Sequence, residues 1–205
     1  GNFGKLRDAA IDALGPMAGR TLQIACVYGD LSARISRKLP KDGRLDVVDV
    51  LTVQIDNLAR KLPPESGVGL YRGDSSRLAF PAASYDQALL FFLLHEQPEE
   101  IRRNTLSEAL RVLKPGGRLV IVDYHRPHPL NPLYWPMVGV LRLLEPFALD
   151  LWRHEVAHWL PADARSGALG KKTTFGGLYQ LITLRKRQTI DRDQSAGLPL
   201  AHSGR

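Results

Sequence analysis

The residues best equipped for chemistry gather in three places along the chain. Asp123, Tyr124, His125 and His128 follow the apolar run Arg118 to Val122, and a carboxylate with two imidazoles makes a plausible ligand set for a divalent metal. Alternate residues of a strand share a face, so Asp123 and His125 can point together while Tyr124 faces away. A polar strand exit with a solvated histidine competes with that assignment. His95 and Glu96 close another apolar run that starts at Tyr85, and an imidazole there could act as general acid or base. The third place, His154-Glu155-Val156-Ala157-His158, matches the H-E-x-x-H zinc-protease pattern, with both histidines on one face if the segment is helical. No third zinc ligand is evident from the spacing. An ordinary helix that packs Trp152, Val156 and Trp159 is the preferred expectation.

The elements that must carry these groups alternate. Residues 4–15 read as a short amphipathic helix stopped by Gly15-Pro16. Arg20 to Val27 and Arg44 to Asp49 read as strands, with a helix from Asp30 to Leu39 between them and a third helix over Thr52 to Leu62. Val68 to Tyr71 is a short strand, Tyr85 to Leu93 a strongly apolar one, Glu99 to Leu113 a helix and Arg118 to Tyr124 a fifth strand. Five strands alternating with helices argue for an α/β fold, a Rossmann-like doubly wound and mostly parallel sheet. Residues 127–160 are rich in proline, leucine and aromatics and read as a partly helical apolar insertion or lid. The pair Gly176-Gly177 between Lys171 to Phe175 and Leu178 to Arg185 predicts a C-terminal hairpin. One domain over 1–187 is expected, with 188–205 a disordered tail.

The chain has 205 residues, 44% of them hydrophobic and 24% charged, which suits one globular core. No run is long and apolar enough to span a membrane, and no signal-peptide pattern precedes a cleavage site. A cytoplasmic location is therefore expected, with the inner face of the membrane a place where the apolar segment would act. The formal charge of +7 suggests an anionic partner. The basic residues are scattered and no nucleic-acid-binding module accompanies them, so nucleic acid is not expected. A single cysteine, Cys26, rules out an internal disulfide and reads as a small core residue.

Two segments carry a resemblance. Gly73-Asp74, Leu78, Phe80-Pro81, Ser84 and Asp86, followed by Arg111 to Val120 (RVLKPGGRLV), resemble the class I S-adenosylmethionine-dependent methyltransferases of ubiquinone and menaquinone biosynthesis across residues 20–125. Two departures stand out, because Gln23 replaces an acid of the first motif and Ala25-Cys26-Val27-Tyr28-Gly29-Asp30 replaces its glycine loop. With Leu94-His95-Glu96, the run Val122 to Pro127 and Phe175-Gly176-Gly177-Leu178-Tyr179-Gln180, these departures resemble the RquA family of rhodoquinone biosynthesis over about residues 1–185.

The resemblance implies a class I methyltransferase-type sheet that holds S-adenosylmethionine against Gln23, Ala25, Cys26, Val27, Tyr28, Gly29, Asp49, Val50, Asp74, Ser75, Phe92 and Leu93. Asp49 would accept the ribose hydroxyls and Asp74 the adenine amine. It further implies that the cofactor donates its amino group to ubiquinone in a manganese-dependent reaction, with Asp123, His125 and His128 as candidate metal ligands. Tyr28, His95, Asp123 and His125 are the candidate catalytic residues, His95 as acid or base for the departing methoxy group. A neutral Gln23 fits amine attack, since a carboxylate beside the amine would hold its proton on. Conventional methyl transfer to a quinone or other small molecule, and a non-catalytic Rossmann binding protein, remain the alternatives.

Overall fold

The computed structural model describes residues 2–26, 29–145, 147–165 and 169–188. Seven strands form one sheet: β1 (Arg20–Ile24), β2 (Arg44–Asp49), β3 (Val68–Arg72), β4 (Tyr85–Phe91), β5 (Leu113–Tyr124), β6 (Leu169–Thr174) and β7 (Tyr179–Arg185). Their order is β3-β2-β1-β4-β5-β7-β6. All neighbours are parallel except β7, which runs antiparallel to both β5 and β6. The order reverses between β1 and β4, which opens a crevice at their carboxyl ends, where such sheets take ligands.

Both faces of the sheet are covered, which is why the central strands are nearly continuous apolar runs. Leu89 and Phe91 of β4, with Val120 and Val122 of β5, pack under α1 (Asn2–Leu14) and α2 (Leu31–Lys38) through Leu6, Ile11, Leu31 and Ile35. Their neighbours Ala88, Leu90, Leu119 and Ile121 face the other way, against Leu106 and Leu110 of α4 (Glu99–Val112). Helix α3 (Thr52–Lys61) buries Leu58 beside β2. The hairpin forms as expected: Phe175, Gly176 and Gly177 all have positive φ (54°, 64° and 88°), and Asn131 crowds the place a side chain at 176 would need.

Two strands end earlier than their apolar runs. β1 stops at Ile24 because Ala25 takes φ 71°, and β4 stops at Phe91 because Phe92 takes φ 55°. A left-handed residue cannot continue the ladder, so the chain is thrown off the sheet at the two strands that flank the crevice. The turn after β4 is a 3-10 helix, Leu94–Glu96, that carries His95. β5 begins earlier than expected, at Leu113, with Lys114 to Gly117 joined to the sheet through a shift in register between Tyr85 and Gln87.

The insertion contains α5 (Tyr134–Leu144), α6 (Asp150–Arg153) and a 3-10 turn, Val156–His158, before α7 (Ala162–Arg165). The H-E-x-x-H segment is not one helix: α6 ends at Arg153, and Glu155 is extended at ψ 149°. The rings of His154 and His158 stack 4.5 Å apart while Glu155 turns away to Lys171, so no zincin geometry forms. Trp152, Val156 and Trp159 are buried as the packing expectation required.

One fully buried cation ties the insertion to the crevice. Arg102 of α4 donates to the carbonyls of Leu94 (2.9 Å), Gln97 (2.8 Å) and Phe147 (3.1 Å), and lies over the Trp159 ring at 4.4 Å. The Leu94 and Phe147 carbonyls also accept from the backbone N–H groups of Gln97 and Asp150, and the Gln97 carbonyl takes its hydrogen bond from the guanidinium. Arg102→Ala is expected to cost about 2 kcal/mol or more in a denaturant titration, because it leaves the Gln97 carbonyl without that donor and opens a cavity over the Trp159 ring. At the first bend, Ala25→Val is expected to destabilise by about 1–2 kcal/mol whereas Ala25→Gly leaves stability equal or higher, since a β-branched side chain is least compatible with positive φ.

Candidate functional site

The crevice is a cleft of about 590 Å³ lined from β1, β2, β3 and β4 and closed on one side by α1. That volume falls in the range of small-molecule sites. Of the residues expected around a cofactor, Ala25, Cys26, Asp49, Val50, Asp74, Ser75, Phe92 and Leu93 line it. Val27 and Tyr28 lie outside the described residues. Gln23 does not line the cleft: it is buried in β1 one layer behind.

On the β2 side the loop after β1 is strapped by two polar residues. Asp49 accepts from the backbone N–H of Cys26 (2.7 Å) and from that of Leu51 (2.8 Å), one on each carboxylate oxygen. Each oxygen keeps a lone pair for a ligand. Gln23 accepts from the Ser32 hydroxyl (2.8 Å) and donates to the carbonyl of Ala25 (3.0 Å), so it joins the bent loop to the start of α2. An acid at 23 could accept from Ser32 but could not donate to Ala25 while ionised. The Cys26 thiol, pushed up to about 11 by burial and then by Asp49, stays protonated and unreactive at neutral pH. Asp74 spends one oxygen on the N–H and hydroxyl of Ser76, both at 2.8 Å, in an Asx turn. Gln97 donates to the Ser75 hydroxyl (2.9 Å), which also pairs with Thr105.

On the β5 side a charge is buried. Asp123, 0% exposed, accepts from the Leu94 N–H (2.8 Å), the Tyr124 N–H (2.8 Å) and His95 Nδ1 (2.8 Å). A carboxylate so placed fixes the imidazole as an Nδ1–H donor and leaves Nε2 on the cleft side. Nε2 lies 3.8 Å from the Glu96 carboxylate, and both residues line the cleft. Burial alone would push the His95 imidazole down, but the hydrogen bond and charge of Asp123, with Glu96 and Glu145, raise it above its ordinary range. Aromatic edges surround it: Tyr124 at 4.8 Å and Phe92 at 5.9 Å, with Tyr124 stacked on Tyr179 at 5.7 Å and Phe3 of α1 against Phe92 at 5.4 Å. The Tyr124 hydroxyl is pushed up to about 12, by burial first and then by Tyr179 and the nearby acids.

The expected metal set is not brought together. β5 ends at Tyr124, and His125 leaves the sheet with both ring nitrogens engaged: Nδ1 donates to the Gly177 carbonyl (2.8 Å) and Nε2 accepts from Lys171 (2.9 Å). His128 turns its Nδ1 to the Leu130 N–H (3.2 Å). Asp123 meanwhile is buried against His95 behind the cleft wall, and it is Tyr124 and not His125 that lines the cleft. Among the described residues no group of three or more His, Cys, Asp or Glu side chains could hold a metal ion. Manganese therefore does not fit the residues assigned to it. Sequence reasoning missed Phe3, Arg7 and Gln97, all of which line the cleft. Phe3 and Arg7 sit on a helix read only for its apolar spacing, and Gln97 lies in a turn without a pattern of its own.

The His95–Asp123 pair has a pH signature. A histidine whose folded value is raised stabilises fully below its unfolded value near 6.5 and loses that contribution as pH climbs through the folded value. The stability lost in His95→Gln should therefore be larger near about pH 6 than near about pH 9 in paired urea titrations. An equal loss at both would mean that the imidazole carries no proton in the fold.

Comparison with known proteins agrees with this geometry. A family model described as a methyltransferase domain matches residues 21–117. A demethylmenaquinone methyltransferase of Beutenbergia cavernae is 35% identical over 212 residues, covering 93% of this chain and 84% of the relative. A ubiquinone/menaquinone biosynthesis C-methyltransferase of Erwinia tasmaniensis is 31% identical over 130 residues, and there the match spans 60% of this chain and about half, 51%, of the relative. Among solved structures, the N-methyltransferase NodS of Bradyrhizobium japonicum superposes with a TM-score of 0.66 at 15% identity, over 90% of this chain and 96% of that one, a likeness of fold. By sheet order, cleft and sequence together, the chain belongs to the S-adenosylmethionine-dependent methyltransferase family that includes the demethylmenaquinone enzyme.

Proposed function

We propose that this protein transfers a group from S-adenosylmethionine to a quinone, and that the group is the donor's amino group, with ubiquinone the acceptor and rhodoquinone the product. The relatives named for quinone methylation support the acceptor class. The observation that carries the choice of group is Gln23, a neutral residue whose amide is consumed inside the fold by Ser32 and Ala25. No carboxylate stands at that position to stabilise an ammonium form of the donor, so the nucleophilic neutral amine is not disfavoured.

When bound, S-adenosylmethionine would supply the nitrogen that replaces the ring methoxy group, which leaves as methanol; the quinone ring would then take two electrons from the donor's α-carbon to become a quinol, and water would hydrolyse the resulting imine, releasing the donor as its 2-oxo acid and leaving the nitrogen on the ring. The chain's own residues do the rest. Asp49 offers its spare lone pairs to the ribose diol, and the Oδ2 of Asp74, with no protein partner, accepts from the adenine amine. Phe92 and Tyr124 give the acceptor ring apolar walls. His95, held by Asp123, takes a proton from the attacking nitrogen and returns it to the departing oxygen through Nε2, a role that calls for one imidazole able to carry a proton near neutral pH.

Methyl transfer to a quinol carbon is the second reading, favoured by the activities for which the relatives are named. Incubation with a short-chain ubiquinone and donor labelled with ¹⁵N at the amine and deuterium at the methyl separates the two by mass spectrometry. Amination replaces methoxy by a ¹⁵N amino group, while methylation adds a deuterated methyl; the proposal expects the first and is overturned by the second. Gln23→Glu should lower the melting temperature, because an ionised acid cannot donate to the Ala25 carbonyl, and the protein that remains folded should aminate about ten-fold or more slowly, because a carboxylate behind the cleft would raise the amine's proton affinity by about a unit or more. A variant as fast as the parent would remove the support from Gln23.

A further inference from the structure

Helix α5 is apolar on the face it buries and also on the face it does not. Its inner side, through Leu141 and partly Tyr134, Met137 and Val138, packs on Leu178, Trp152, Tyr124 and Tyr179. At 100° per residue the opposite side carries Trp135, Pro136, Gly139, Val140, Arg142 and Leu143. Trp135 is 74% exposed and Leu143 81%, and the loop ahead of the helix adds Leu130 at 85%. A helix apolar all round is ordinarily enclosed. This one has no protein over its outer side among the described residues.

Charge and length decide what covers it. From Arg126 to Leu144 the chain has no acidic residue, and Arg126 and Arg142 are both exposed with no partner among the described residues. Chain-wide the balance is +7. Eleven residues make a rod of about 16 Å, roughly half the hydrocarbon thickness of a bilayer. No described helix is long and apolar enough to cross a membrane. An apolar face with an exposed tryptophan, flanked by unpaired arginines and too short to span, has the design of an element lying flat at the headgroup boundary.

We infer that the outer face of α5, with Leu130 and Leu133 ahead of it, docks this protein on a bilayer containing anionic phospholipid. The inner face of the same helix backs onto Tyr124, which lines the cleft, so the bilayer lies about one helix diameter, ~10 Å, from the cleft wall. A membrane-borne acceptor would reach the site without crossing water. The docking itself does not depend on which group is transferred, or on any transfer at all.

The test is sedimentation of the full chain with vesicles of phosphatidylcholine alone and of phosphatidylcholine mixed with phosphatidylglycerol, with light scattering and circular dichroism of every variant. The parent should bind the mixed vesicles more tightly than the neutral ones, and less tightly as salt rises. Leu143→Glu with Leu130→Glu should weaken binding about ten-fold or more, and Arg126→Gln or Arg142→Gln about five-fold each on mixed vesicles only. A vesicle-induced blue shift of tryptophan fluorescence should vanish in Trp135→Ser, an exposed position whose change leaves the fold intact. Binding by the double glutamate variant equal to the parent's, or no binding by the parent, overturns the inference. So does a parent dimer that the glutamates convert to monomer, which would assign the face to a second copy of the chain.

Discussion

A carboxylate buried where β5 leaves the sheet dictates the β5 side of the cleft. Asp123 is shut off from water, and an ionised carboxylate there is tolerable only if donors surround it. Its partners come from the turn after β4, the Leu94 N–H and the His95 ring, together with the N–H of Tyr124. That requirement folds the 3-10 turn over the strand end, aims Nε2 of His95 across the cleft and sets its proton affinity. Arg102 secures the same turn from behind through the carbonyls of Leu94 and Gln97. The His95 imidazole thus rests on two buried groups of opposite charge, one on each side of a single short turn.

The donor side is built by a different device. Ala25 and Phe92 both hold positive φ without being glycine, a strain of order 1–2 kcal/mol each that the surrounding bonds must offset. At Ala25 the offset comes from Gln23, Asp49 and the Ala25 N–H bonded to the Val48 carbonyl. Gln23 and the left-handed Ala25 are therefore linked, since an amide at 23, unlike an ionised acid, donates to the carbonyl of the bent residue. Strain sits at the ends of the two strands that border the crevice.

The alternation of strands and helices, the hairpin with its glycine pair and the apolar insertion could all be read from the sequence, because periodicity and breakers report burial and turns directly. Strand ends could not: the runs from Arg20 to Val27 and from Tyr85 to Leu93 stay apolar through their last four residues, and nothing in residue type announces that Ala25 and Phe92 turn left-handed. Asp49, Asp74 and Ser75 were found because their places follow from the strand order. The grouping of Asp123 with His125 failed for a local reason. Alternation holds only while the strand lasts, and β5 ends between them, after which Gly177 and Lys171 claim the His125 ring. The link from His95 to Asp123 spans 28 positions and no spacing rule reaches that far.

The account turns on the protonation of a bound amine. The ¹⁵N chemical shift of labelled S-adenosylmethionine, followed against pH with the full chain in excess, measures it directly. Binding in a cleft backed at position 23 by a neutral amide predicts that the amine loses its proton below the ~7.7–8.0 range of a free α-amino group. A bound ammonium that persists above that range, or a shift indistinguishable from the free donor at every pH, would contradict it.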